Sequence, residues 1–211
     1  RMEPLIGRDR DWEDPATLFD PARSAGLRPE AKELRVQVED LLAEMEVRRP
    51  ELIAGSNREC YSETVHHLRL ARKLLVYHAA LAERSSQRTS RLLGIRDACM
   101  ADNLAYILSR EHGRGRVLAF AHNSHLKKGK MQWQFGSELF SWWPAGSHLK
   151  EILGRRYAVI GSALGVSDEN GIGRPEAGTL EALLTVLPGP GRFVPADWSR
   201  GFSEPEGSAL A

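Results

Sequence analysis

Cysteines and long apolar runs are both scarce in this sequence. Among its 211 residues there are two cysteines, Cys60 and Cys99, and neither belongs to a C-x-x-C pair. A disulfide-stapled secreted fold is therefore not indicated, and a reducing, cytoplasmic location is the expectation. No stretch approaches the roughly 18 consecutive apolar residues of a membrane-spanning helix. No apolar segment follows Arg1 as it does in a signal peptide.

An excess of one charge sign is also missing. Charged residues make up 27% of the chain but leave a formal net charge of only +1. Neither nucleic acid nor a membrane is therefore an expected partner. The signatures G-x-S-x-G, P-loop and G-x-G-x-x-G after a strand are absent as well. Serine hydrolases of the usual α/β type and common nucleotide-binding enzymes are thus unsupported. Nothing in the sequence indicates an oligomeric state.

The chain is predicted to form one domain between two less regular ends. Its apolar content of 42% is enough for a core, and its length suits a single domain. Residues 1–29 are rich in Pro, Asp, Arg and Gly and predict an irregular lead-in with a turn at Asp14–Ala16. The domain is expected over residues 30–198. Residues 199–211 are rich in Gly, Ser and Glu and predict a loose tail.

Apolar periodicity predicts long helices first and strands afterwards. Spacings of three and four between apolar residues predict five helices, at Pro29–Arg48, Asn57–Glu83, Thr89–His112, Ser147–Leu153 and Thr179–Leu187. Apolar runs bounded by glycine-containing turns predict buried strands, at Val117–Phe120, Tyr157–Leu164 and Arg192–Pro195. The expected class is α/β, with long N-terminal helices followed by a small, partly parallel sheet and flanking helices.

An unusual face lies on the third predicted helix. Arg96, Met100 and Asn103 are spaced i, i+4 and i+7, so a cation and an amide share one face with an apolar side chain. A buried guanidinium is costly unless it meets an anion or carbonyl oxygens. Arg96 and Asn103 are therefore candidate lining residues of a polar pocket. The alternative is a structural ion pair of Arg96 with Asp97 or Glu63, together with a solvated Asn103.

Two histidines and an asparagine directly follow the first predicted strand. The pentapeptide Ala121–His125 carries His122, Asn123 and His125 at a strand end, where active sites of α/β proteins lie. A neutral imidazole accepts a proton from water near pH 7, so one histidine is a candidate base and the other a candidate donor to an oxyanion. Asn123 is a candidate to fix a tautomer or hold a substrate carbonyl. Zinc binding and purely structural histidines are the competing interpretations.

Aromatic residues concentrate between residues 126 and 147, a stretch otherwise predicted to be irregular. The cluster comprises Trp133, Phe135, Phe140, Trp142 and Trp143. It is either a platform for a bulky apolar ligand or a plug at one end of the core. The adjacent His66 and His67 point to different faces of a helix and are interpreted as incidental.

Two motifs taken together resemble the erythromycin esterase family. They are R-D-x-x-M-x-x-N over Arg96–Asn103 and A-H-N-x-H over Ala121–His125. The later G-S-H-L at residues 146–149 and the tyrosine-led segment at residues 157–161 are similar to that family's order of elements. The resemblance spans residues 12–198.

This resemblance implies a metal-independent hydrolase without a cofactor, in which a histidine-activated water attacks an ester. Known members of the family cleave the macrolactone of macrolide antibiotics, which implies a small-molecule ester substrate and a role in antibiotic resistance. His122 and His125 are the implied catalytic residues. Arg96, Asn103 and Asn123 are the implied substrate-binding residues.

The sequence departs from the family pattern in one respect. Family enzymes carry an upstream G-E-x-x-H-G motif, whose acidic residue and histidine belong to the catalytic centre, and that motif is not found here. The expectation is therefore the C-terminal portion of such an enzyme, without part of the catalytic site. Two other functions stay open. One is a non-catalytic or degenerate binding module for a hydrophobic ligand, and the other is a metal-dependent hydrolase.

Overall fold

A computed structural model of the chain describes residues 2–162 and 165–186. Its α-helices are α1 (Glu3–Ile6), α2 (Asp9–Trp12), α3 (Pro29–Val47), α4 (Arg49–Gly55), α5 (Arg58–Leu81), α6 (Arg88–Arg110), α7 (Asn123–Leu126), α8 (Ala145–Leu153) and α9 (Leu180–Thr185). Its strands are β1 (Met131–Phe135) and β2 (Glu138–Trp142). Short 3-10 turns occupy Pro15–Leu18, Pro21–Arg23, Ala25–Leu27, Gly154–Arg156 and Asp168–Asn170.

The long predicted helices are confirmed, because α3, α5 and α6 begin and end within two residues of the expected positions. Their ends follow local chemistry. Pro29 occupies the first turn of α3, where its missing N–H costs nothing. The side chain of Asn57 accepts a hydrogen bond of 2.8 Å from the backbone N–H of Cys60 and so caps α5. The two shorter predicted helices are confirmed as α8 and α9.

The core lies between neighbouring helices. One buried cluster joins α3 to α5 through Leu34, Val38, Leu42, Tyr61, Val65 and Leu75. A second joins the end of α5 to the start of α6 through Ala80, Leu81 and Leu92. A third joins α6 to α8 through Ala101, Ala145 and Leu149. Since burying a large aliphatic side chain contributes about 1.5–3 kcal/mol, these clusters fix α6 between α5 and α8.

The sheet differs from the expected one in position and in direction. A mixed class with long N-terminal helices ahead of a small sheet and flanking helices is confirmed. The expectation of parallel pairing is wrong for the described residues, where the named strands β1 and β2 pair antiparallel as a hairpin. This hairpin lies within residues 126–147, which the sequence predicts to be irregular. It turns at Gly136, whose φ of 59° lies in the region that favours glycine.

Two predicted strands do not form. Val117–Phe120 and residues 157–162 hold no strand, and Leu118, Phe120 and Ile160 are exposed rather than buried. A buried parallel strand needs hydrogen-bonded neighbours and cover on both faces. Within residues 2–162 and 165–186 nothing pairs with these segments as a strand. The third predicted strand, Arg192–Pro195, and the predicted tail, residues 199–211, lie outside the described residues.

The lead-in segment packs against the helices through polar contacts. Asp14 accepts a hydrogen bond of 3.0 Å from the backbone N–H of Ala16 and starts the expected turn. Arg88 of α6 donates to the backbone carbonyls of Thr17 and Leu18, at 2.6 and 2.9 Å. These contacts attach the segment to the end of the bundle at which α6 begins. In the part of the chain described here, no helix is both long and apolar enough to cross a membrane.

A glycine controls how closely α8 approaches α7. A Cβ built on Gly146 would overlap the backbone carbonyl of Leu126. We expect Gly146→Ala to lower the free energy of unfolding by about 1–3 kcal/mol, because overpacking forces the backbone to shift. Gly55→Ala is the matched control, since a Cβ there meets nothing within 4 Å and alanine favours a helix. Urea denaturation measures both variants, and equal stabilities would contradict the close contact.

Candidate active site

The buried carboxylate of Asp97 lies at the centre of the predicted site. Asp97 is 0% exposed. Its Oδ1 lies 2.7 Å from Nδ1 of His125, and its Oδ2 accepts a hydrogen bond of 2.5 Å from Nε1 of Trp142. One carboxylate thus joins α6, α7 and β2. A charge buried to this extent needs such partners, because desolvation costs several kcal/mol.

Helix spacing places this carboxylate inside the molecule. Asp97 and Ala101, four residues apart on α6, are both fully buried, and Ala101 contributes to the cluster shared with α8. Arg96, one residue earlier, points about 100° away around the helix and is exposed. The R-D pair therefore supplies one anion to the interior and one cation to the surface.

The one-turn helix α7 is anchored at both ends. His122 caps its start, since its Nδ1 accepts from the backbone N–H of Ser124 at 3.2 Å. The hydroxyl of Tyr157 donates to the carbonyl of Leu126 at 2.7 Å. Burial raises the pKa of Tyr157, so this hydroxyl keeps the proton that it donates. These contacts fix the short turn that carries both histidines, His122 at its start and His125 within it.

The tautomer of His125 follows from its two partners. Nη2 of Arg96 lies 3.0 Å from Nε2 of His125, and a guanidinium can only donate. Neutral His125 therefore accepts at Nε2 and donates from Nδ1 to Asp97, which can only accept. Both ring nitrogens are used, and the histidine is 18% exposed. The result is a hydrogen-bonded chain from a buried carboxylate, through an imidazole, to a guanidinium at the surface.

His122 takes the opposite tautomer. Its Nδ1 faces the backbone N–H of Ser124, which can only donate, and lies 2.8 Å from the Ser124 hydroxyl. Nδ1 is therefore the acceptor, and neutral His122 carries its proton on Nε2. The residue is exposed. His122 thus offers an N–H donor rather than a lone pair at its exposed ring nitrogen.

The two predicted asparagines have different surroundings. The amide of Asn123 donates to the carbonyl of Ser162 at 2.5 Å and accepts from its backbone N–H at 3.1 Å, so it holds the segment that follows Tyr157. Asn103 lies about 10.5 Å along α6 from Arg96. Its side chain lines a groove between α5 and α6, as His66 does. The structure brings Arg96 into contact with His125, and His122 and Asn123 lie on the same short turn as His125, whereas Asn103 lies in the groove.

The aromatic segment is partly buried and partly exposed. Phe140 and Trp142 are buried, and Trp142 reaches the site carboxylate. Trp133, Phe135 and Trp143 are 46%, 65% and 54% exposed. The first pair closes the core beside α6, as the plug alternative expects, whereas the second set is exposed to solvent.

The sequence left two alternatives open at this site, an ion pair of Arg96 with Asp97 or Glu63 and a metal site. Arg96 forms no ion pair with Asp97 or Glu63 among the described residues and donates to His125 instead. In the same ranges, no three His, Cys, Asp or Glu side chains gather as a metal-binding group.

Sequence reasoning missed Trp142 as part of the site and gave Asp97 only a structural role. The available signal was an acidic residue four positions before Ala101, on the face of the helix that packs inward.

The family is established by comparison with known proteins. The family model described as erythromycin esterase matches residues 2–207. The chain therefore belongs to the erythromycin esterase family, and the resemblance found in its two motifs is confirmed. No curated protein and no solved structure matched the chain.

The central role of Asp97 is open to a stability test. We expect Asp97→Asn to lower the free energy of unfolding by about 1–3 kcal/mol, because an amide oxygen cannot replace both carboxylate oxygens and its NH₂ faces a buried donor. Asp102→Asn on the same helix is the matched control. That half-exposed carboxylate pairs with Lys73 at the surface, where ion pairs contribute about 0–1 kcal/mol. Chemical denaturation of both variants gives the comparison, and an equal cost would argue against the buried network.

Proposed function

We propose that the protein hydrolyses a carboxylic ester by attack of water, without a metal or another cofactor, and that a macrolactone is its candidate substrate. Membership of the erythromycin esterase family supports the class of reaction. The observation that carries the proposal is the chain from Asp97 through His125 to the exposed guanidinium of Arg96. His122, the second proposed donor, caps the same one-turn helix that carries His125. We also propose a cytoplasmic location, which the free Cys60 and Cys99 support.

In this proposal the described residues stabilise negative charge. Attack on an ester carbonyl develops an oxyanion, and donors fixed before the reaction lower its energy most effectively. His122 supplies an Nε2–H, and Arg96 supplies the N–H groups that it does not give to His125. Because Asp97 holds His125 and His125 in turn holds Arg96, the guanidinium has little freedom to reorganise as charge develops. Asn123 positions the adjacent segment through Ser162.

Neither histidine is proposed to deprotonate water in this arrangement. Nδ1 of His122 faces Ser124, and Nε2 of His125 faces Arg96, so neither offers a lone pair toward the solvent. A general base must lie within hydrogen-bonding reach of the attacking water. We therefore propose that a separate group performs this step, in keeping with the G-E-x-x-H-G motif that the family resemblance implies and that this sequence does not contain.

The first test removes the proposed donor. We expect His122→Ala to lower kcat for macrolide hydrolysis in the full-length protein by about 10²–10³-fold, the usual cost of losing one oxyanion donor. His67→Ala is the control, since His67 is exposed on α5, away from α7. Mass spectrometry detects the product as substrate plus one water. Full activity of a folded His122→Ala protein would rule out the proposed donor.

The second test concerns the metal. We expect hydrolysis to persist after dialysis against a chelator, because the proposed oxyanion donors are Arg96 and His122 rather than a Lewis acid. Elemental analysis of the purified protein is made on the same sample. Stoichiometric zinc, together with activity that is lost on chelation and restored by zinc, would favour the metal-dependent alternative.

A binding module is the second candidate function. The exposed rings of Trp133, Phe135 and Trp143 favour it, since aromatic surface binds apolar ligands without any chemistry. Calorimetry with a macrolide separates the two candidates when product analysis is run alongside. Heat of binding without any product, in the full-length protein, would replace the hydrolase proposal with this one.

A further inference from the structure

A groove opens between α5 and α6 at the end away from their connection. The two helices run antiparallel and pack tightly through Leu81 and Leu92, close to that connection. Toward the first half of α5 and the second half of α6, apolar contact gives way to a cavity of about 490 Å³. This volume falls within the range typical of small-molecule sites, about 300–1,000 Å³.

Positive charge predominates in the lining of the groove. Three cationic side chains line it, Arg49, Arg69 and Lys73. Asp102 is the sole acidic lining residue among those described. Lys73 pairs with that carboxylate, and Arg69 pairs at 3.6 Å with Glu46, which lies outside the lining. Arg49 donates to the hydroxyl of Tyr61 at 3.2 Å rather than to a carboxylate, and so leaves one positive charge without a carboxylate partner. Positive potential in a concave site concentrates anions from solution. The groove is therefore complementary to a negatively charged molecule.

A flat ring surface lies in the same groove. The rings of His66 and Tyr106 stack at 3.9 Å with an interplanar angle of 6°. Burial, and to a smaller extent the neighbouring His67, lower the pKa of His66, while the side chain of Asn103 opposes this shift. His66 is therefore neutral at pH 7 and contributes a ring rather than a further charge. Such rings bind other planar groups through offset or edge contacts.

We infer that this groove is a binding site for a small planar organic anion, a ring that bears a carboxylate or a phosphate. The anionic group would contact Arg49 and Arg69, and the ring would lie against His66 and Tyr106. The site differs from the cluster around Asp97, which lies about a turn and a half earlier on α6. The inference does not rest on the proposed hydrolysis, and its tests measure binding alone.

Calorimetry with three small probes tests the charge and the anionic group. We expect phenyl phosphate or benzoate to bind, which identifies the preferred anion, and neutral benzyl alcohol not to bind detectably. Equal binding of benzyl alcohol, or no binding of either anion at millimolar concentration, would overturn the inference.

A matched pair of arginines tests the position of the site. Arg69 and Arg72 both lie on α5 and both pair with a glutamate of α3, at 3.6 Å to Glu46 and 3.3 Å to Glu39. Only Arg69 lines the groove. We expect Arg69→Gln to weaken binding of the anion about tenfold, the cost of one charge-assisted hydrogen bond, and Arg72→Gln to leave it unchanged. Equal effects of the two substitutions would contradict a local site.

The two cysteines provide a second readout within one molecule. Cys99 is half-buried and lines the groove, whereas Cys60 is exposed and does not line it. Burial raises the pKa of the Cys99 thiol, so its alkylation is followed at alkaline pH. We expect the anion that binds to slow alkylation of Cys99 several-fold and to leave Cys60 unchanged. Binding without protection of Cys99 would place the anion elsewhere and refute the assignment.

Discussion

The carboxylate of Asp97 determines how three elements meet. A carboxylate with no exposure to water loses several kcal/mol of solvation, and here that loss is offset by one donor at each oxygen. The donors come from α7 and β2, through His125 and Trp142. A second contact aligns the hairpin along α6, since the hydroxyl of Ser90 accepts from the backbone N–H of Ser141 at 3.0 Å. The positions of α7 and of the hairpin relative to α6 follow from satisfying this buried charge.

The same constraint sets the polarity of the candidate site. Because a carboxylate only accepts, the proton of neutral His125 is on Nδ1, and its Nε2 is left to accept from Arg96. Hydrogen bonds linked in this way polarise one another. Negative charge lies inside at Asp97, and positive charge lies at the surface at Arg96. An arrangement of this kind is suited to receive negative charge, which supports a role in stabilising an oxyanion rather than in forming the nucleophile.

The long helices could be predicted from sequence because their signal is local. Spacings of three and four recur within each helix, and caps such as Asn57 mark the ends. The strand at Val117–Phe120 was predicted from the same apolar content, but a strand exists only through its partners, which lie elsewhere in the chain. The hairpin was missed because its aromatic residues indicated a ligand platform or a core plug. The strands that form carry both buried and exposed aromatic side chains.

The candidate site could be predicted only in part, because its contacts join residues that are far apart in the sequence. Arg96 and His125 were both identified, although their contact spans 29 residues of sequence. The Trp142 contact to Asp97 spans 45 residues, and no local pattern connects the two. Asn103 shares a helix face with Arg96, but seven residues of helix extend about 10.5 Å, which moves its amide into the neighbouring groove. Spacing fixes the face of a helix, whereas the packing of neighbouring elements decides which site that face enters.

Packing also explains why a polar groove persists between two long helices. Interfaces of this kind normally bury apolar side chains, yet here Arg69, Lys73 and Asp102 lie along the gap. The apolar contacts of α6 lie elsewhere. Ala101 packs against α8, and Leu92 packs against the end of α5. The second half of α6 meets α5 through the His66–Tyr106 stack and through the Lys73–Asp102 and Arg110–Glu59 ion pairs. These polar contacts border a cavity rather than fill it, and the excess of positive charge in the cavity lining supports the inferred site for an anion.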